Sequence, residues 1–339
     1  MNRYSPQRAI LILTASAALW AAIAGLCLLV GSTGQAGLPS AAQLGYRIEV
    51  ILLASLVGAA LGAAGVVYQA ILRNPLADPY LLGVSSGASL LSYVWQFGLA
   101  TSLMAHLGGA ALSQQAFAFI GAAGAVCIVF LLASRRGRLE PVTLLLVGVI
   151  VNAVNGSIFL LVNAIVGERP GSGGPLSFLV GGINATVTRQ QEIAATTVVG
   201  VGWVVMAALA GQLNVASLSE SEAQSLGVRI HRLRWIALIA ASLVTAAAVA
   251  ISGPIGFVGL VCPHVARLLV GTDVRKLLPA ATAIGAALLA AADAACRCIA
   301  GTSARTVLPV GVLTALLGGP FFLLLLWQSR RRGAPEGGR

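Results

Sequence analysis

The sequence predicts an all-α, polytopic membrane protein with about ten transmembrane helices and both termini in the cytoplasm. Three observations predict it. Hydrophobic residues make up 58% of the 339 and charged residues only 9%, with mean hydropathy +0.92, whereas an average soluble domain is about 25% charged. Apolar stretches near the length of a span, about 20 residues, recur along the whole chain between short polar connectors. The 21 Lys and Arg residues are also unevenly placed: with the N-terminus inside, fifteen fall on the cytoplasmic side, five outside, and Arg267 within a span. That asymmetry follows the positive-inside rule.

The elements follow in order. The stretch at 10–30 opens like a signal peptide. Its apolar run is too long for an h-region and lacks a clear small-x-small cleavage site, and Leu26 before Cys27 argues against lipoprotein processing. It reads as an uncleaved first span. Further apolar runs predict helices at 48–70, 79–100, 112–133, 141–165, 191–211, 234–251, 255–271, 279–299 and 309–327. Pro141, Pro279 and Pro309 sit near the starts of three of these, where a missing N–H costs little. The glycine-rich connector 167–175 predicts a flexible external loop, followed near 175–183 by an apolar segment too short to cross. Residues 1–339 read as a single transmembrane domain whose longest cytoplasmic insertion spans about 212–234. The net charge of +11 is topological, so nucleic-acid binding is not expected.

Two connectors carry more information. In Arg73-Asn74-Pro75-Leu76-Ala77-Asp78-Pro79 each X-Pro step pushes the preceding residue out of the α region. Asp78 is placed as an N-cap with Pro79 at the first helical position, and Gly83 and Gly87 permit close approach of another backbone. In the 212–234 insertion, Ser219-Glu220-Ser221-Glu222 fits a capping box and Gly227 a C′ terminator. A helix of about two turns follows, with Ala223 and Leu226 on one face. It is either an ordinary loop helix or a docking element.

Other residues admit competing readings. Asn152 and Asn155 share a helix face and Asn163 lies near that helix's outer end; they either line a polar pathway or bond between helices. Asp293 pairs with Arg297 or Arg267, or serves a proton relay, which lacks a second mid-membrane carboxylate. Cys262-x-His264 is a weak metal motif without companion ligands, and Cys296 and Cys298 point to nearly opposite sides of a helix. The single lysine, Lys276, follows Val274-Arg275, so no G-x-x-x-x-G-K-[ST] phosphate loop exists here.

Arg73–Pro79 with Leu82-Gly83-Val84-Ser85-Ser86-Gly87-Ala88 resembles the signature of FecCD-type permeases, the membrane subunits of ABC importers for ferric siderophores, haem and cobalamin. Ser252–Leu269, Glu222–Val228 and Leu308–Phe322 are similar to the same family, in family order. The resemblance implies a non-catalytic permease in the bacterial inner membrane, carrying a metal chelate, with ferric siderophore first and haem or cobalamin next. It implies a second permease copy as partner, most simply a homodimer, with two ABC ATPase subunits and a periplasmic or lipid-anchored substrate-binding protein. It also implies no cofactor in this chain, ATP and Mg residing on the ATPases. By the same resemblance Ser219, Glu220, Glu222, Ala223, Leu226 and Gly227 couple to the ATPase, and Asn152, Asn155 and Asn163 line the pathway.

Relatives usually carry Arg-Leu-Pro-Arg at the outer start of the second span, to dock the binding protein. Here Arg47-Ile48-Glu49-Val50 stands instead, leaving Arg47, with Arg305, as docking residues; Val307 replaces a usual Glu. The rival class is an ion-gradient-driven secondary transporter, which would need titratable groups at mid-membrane. A membrane-embedded enzyme would need a nucleophile, metal or paired-acid set, and none stands out.

Overall fold

The computed structural model describes residues 6–30, 37, 39–95, 113–135, 138–166, 180–183, 187–216, 220–303 and 308–333. Its helices are α1 (Pro6–Leu28), α2 (Ala41–Ile71), α3 (Val84–Trp95), α4 (Gln114–Ala133), α5 (Pro141–Val166), α6 (Arg189–Ala216), α7 (Glu220–Ser225), α8 (Ile230–Ser252), α9 (Val258–Val270), α10 (Val274–Ser303) and α11 (Val310–Gly333). Every expected span meets a helix. Among the described residues six are long and apolar enough to cross a membrane: α2, α4, α5, α6, α8 and α10. The polytopic all-helical reading stands, with one addition. A two-residue antiparallel ribbon, β1 (Ser134–Arg135) and β2 (Arg138–Leu139), pairs Ser134 with Leu139 and Arg135 with Arg138 between α4 and α5.

Four expectations need correction. The expected helix 79–100 is divided: Pro79–Leu82 form a 3-10 turn, Gly83 takes φ +83, and α3 begins at Val84. The left-handed residue breaks the helical path, a conformation glycine adopts without a Cβ penalty. The expected helix 255–271 starts only at Val258, because Phe257 before it has φ +68. Pro279 lies inside α10 rather than near its start. The helix begins earlier because Asp273 caps it, its Oδ1 accepting from the Arg275 N–H at 3.1 Å. Of the short helix expected near 175–183, the described part, 180–183, is non-helical. Gly181 N–H donates to the Pro254 carbonyl and Gly182 N–H to the Ser252 carbonyl, both at 2.8 Å.

Helix α2 is the central post, packed by α6, α8, α9 and α10. Gly58, Gly62 and Gly65 are four and three residues apart and so lie on one face. A Cβ at Gly58 would run into the Gly285 carbonyl on α10, and one at Gly65 into the Gly259 carbonyl on α9. Lipid tails are as apolar as leucine, so close backbone packing of this kind holds membrane helices together. Polar ties add specificity: Tyr68 and Ser242 hydroxyls lie 2.6 Å apart, and Arg267 donates to Gln69 Oε1 at 2.9 Å.

Candidate functional site

At one end of the bundle the connectors form a cross-tied surface. Arg73, held at φ +49, donates through Nε to the Ala216 carbonyl at the end of α6, 2.9 Å away. A cation at a helix C-terminus satisfies an orphan carbonyl and complements the helix dipole. Asn74 Oδ1 accepts from the Leu76 N–H at 3.0 Å, and Asp78 Oδ1 accepts from the Tyr80 N–H at 3.0 Å, which makes Asp78 the expected cap before Pro79. Pro75 sits in the turn between them. On the same surface Asn214 donates to Asp273 Oδ1 at 2.7 Å and accepts from the Val274 N–H at 2.8 Å. Arg234, buried, donates to the Leu139 carbonyl at 3.2 Å.

The short helix α7 stands on this surface. It begins at Glu220; Ser219, the expected N-cap, lies outside the described residues. Gly227 has φ +78, and the Val228 N–H donates to the Ala223 carbonyl at 3.1 Å, the six-to-one bond of a Schellman ending. Ala223 is fully buried while Leu226 is 62% exposed. Leu226 still belongs to the last helical turn, its N–H donating to the Glu222 carbonyl at 3.2 Å, and the left-handed Gly227 follows it. Glu222 is exposed beside it. Thus α7 is anchored by its alanine and projects Leu226 into its surroundings.

The asparagines of α5 gather on the segment that follows the 73–78 connector. Asn152 donates to the Tyr80 carbonyl at 3.0 Å and Asn155 to the Ser86 hydroxyl at 3.2 Å; Asn163 Oδ1 accepts from the Tyr93 hydroxyl at 2.7 Å. All three are half-buried. Gly87 packs against the Gly121 carbonyl of α4, the close approach its composition allows. Tyr80, which the sequence analysis did not single out, receives the Ile255 N–H on its hydroxyl at 3.0 Å. The signal was there: a tyrosine next to a proline in an apolar segment needs a partner for its hydroxyl when it packs inward.

At the opposite end, a cavity of about 400 Å³ is lined by Ser89, Ser92, Gln114, Ser252, Asp293 and Pro309 among others. Asp293 accepts from Arg297 Nε at 2.8 Å, so the ion pair exists, and Arg267 instead binds Gln69. The Arg297 guanidinium also lies 5.8 Å from the Tyr46 ring centre. Arg47 is buried and donates to the Leu28 carbonyl at 2.6 Å and the Gly37 carbonyl at 3.0 Å, tying the end of α1 to α2. Glu49 is half-buried, while Arg305 and Val307 lie outside the described residues. His264 meets the Phe321 ring edge-on at 5.8 Å.

The family model described as the FecCD transport family matches residues 17–328. The chain is 40% identical over 297 residues to the cobalamin import system permease protein BtuC of Halobacterium salinarum, covering 86% of this chain and 76% of that one. It is 37% identical over 303 residues to the hemin transport system permease protein HmuU of Yersinia pestis, covering 85% and 84%. A solved inward-facing structure, assigned to a metal-chelate type ABC transporter, superposes with TM-score 0.77 at 29% identity, covering 94% of this chain and 99% of that one. An all-helical bundle with this signature connector, matched along nearly its whole length, is a multi-pass membrane permease of the ABC type, and the chain belongs to the FecCD transport family.

Proposed function

We propose that the protein is the non-catalytic membrane subunit of an ABC importer for a metal chelate, ferric siderophore being the first ligand to test and haem and cobalamin the next. Two copies form the pathway, two separate ATPases bind and hydrolyse MgATP, and a soluble or lipid-anchored binding protein delivers the chelate. Both termini lie in the cytoplasm, and the surface bearing α7 faces the ATPase. Asn152, Asn155 and Asn163 border the pathway, and the residues around Arg47 and Arg305 meet the binding protein.

One observation carries this reading. Helix α7 buries Ala223 and packs against both α6 and α8, and Arg73 ties the end of α6 to the connector before the 3-10 turn, while Leu226 projects 62% exposed. A force on Leu226 therefore reaches two helices at once, as rigid-body rocking of packed helices requires. Leu226→Asp should leave stability within about 0.5 kcal/mol, as for most surface changes, and abolish ATP-dependent uptake in proteoliposomes holding the permease, ATPase and binding protein. Normal uptake in that variant removes the coupling assignment. Concentrative uptake by the lone chain under an ion gradient would replace this mechanism with secondary transport.

A further inference from the structure

A second cavity, about 580 Å³, lies away from the α7 surface and the asparagines. Helices α1 and α6 both pack on α2 and α10, and the cleft runs between them. Its floor is formed by small residues, Ala59 of α2 and Ala283 of α10 among them; its walls carry Trp20 of α1 and Trp203 of α6. Each indole is already satisfied: Trp20 Nε1 donates to the Ser55 hydroxyl at 2.9 Å and Trp203 Nε1 to the Thr282 hydroxyl at 3.0 Å. The polar atoms of Ser55, Thr282 and the two indoles are thereby paired with one another, and most of what faces the cleft is hydrocarbon and ring.

Two further facts say what fills it. Along α6 the cleft extends from Glu192 to Trp203, about 16 Å at 1.5 Å per residue, which is about one leaflet of a 30 Å hydrocarbon core. Its mouth is a carboxylate: Glu192 lies in the first turn of α6, and Arg189 is exposed three residues earlier, on the same side of the helix. No ion pair joins the two among the described residues. An acid and a base at the membrane surface, above an apolar slot one leaflet deep, match a zwitterionic headgroup above an acyl chain. We propose that this cleft holds a phospholipid of the leaflet on Glu192's side, with an amine headgroup, phosphatidylethanolamine, on Glu192 and its tail between Trp20 and Trp203.

The test uses the full chain in mild detergent, offered equimolar phosphatidylethanolamine and phosphatidylglycerol, with retained lipid counted by native mass spectrometry. The chain should retain the ethanolamine lipid about threefold over the glycerol lipid, the scale of a partly exposed ion pair. Glu192→Gln should erase that preference without lowering total retention. Ala59→Phe should fill the floor and lower retention of both lipids. Ala17→Trp, on the exposed α1 wall, should do the same without disturbing packing, so a misfolded floor variant leaves the test standing. Equal retention of the two lipids, or unchanged retention in Ala17→Trp, overturns the proposal. A change in the monomer–dimer balance with no change in lipid count would overturn it too, assigning the cleft to a second copy.

Discussion

Helices α2 and α5 are equally apolar by composition, yet 83% of the most apolar stretch of α2 is buried in the protein against 17% for α5. The difference lies in residue size rather than polarity. The inward faces of α2 are rich in glycine and alanine, and Gly58, Gly62 and Gly65 meet carbonyls of α9 and α10. Leu146, Val149, Ile150, Val154, Leu161 and Ile165 of α5 are more than half exposed. In a bilayer both helices satisfy the solvent, so hydropathy is silent on which one forms the core, and packing detail decides. Exposed α5 also carries the three pathway candidates. In the proposed dimer it is the element free to change neighbours, while α2 is not.

The comparison can be broken at its strongest point first. Gly58→Leu or Gly65→Leu should cost at least about 3 kcal/mol, the upper range of overpacking, because the obstructing atom is backbone. Loss of a monodisperse peak in detergent chromatography checks this. Asp293→Asn leaves the buried Arg297 without its charge partner and should cost about 3–5 kcal/mol; Asp293→Leu with Arg297→Met should recover most of it. Thermal unfolding in detergent reads both. Asn152→Ala should cost only about 0.6 kcal/mol, the average for such membrane hydrogen bonds, while slowing uptake at least twofold; unchanged uptake would reduce its role to packing. The smallest effect belongs to Val154→Leu on α5, expected to leave stability unchanged within about 0.5 kcal/mol.

Much of this was legible in the sequence, for identifiable reasons. The spans could be found because each apolar run is long, and the caps at Asp78 and Gly227 because their residue types serve that chemistry locally. The misreadings arose where a local rule met a competing one. Periodicity ran Pro79 into one helix with the residues beyond Gly83, because a glycine in a helical pattern does not announce a left-handed φ. Arg47 looked like a free cation because its acceptors, the Leu28 and Gly37 carbonyls, become neighbours only on folding. Family likeness identified the connector, but the Arg73 contact to Ala216 depends on tertiary structure alone.

The interruption between α8 and α9 has a mechanical corollary. A helix of 13 residues is about 20 Å long, well short of a membrane's apolar depth, and the irregular peptide before it has Ser252, Gly253, Pro254 and Ile255 hydrogen-bonded within the protein, as backbone at membrane depth must be. Its amide at Ile255 leans on the phenol of Tyr80, two residues from Asp78 and seven from Arg73. The break between α8 and α9 is thus tied directly to the 3-10 turn that follows the 73–78 connector.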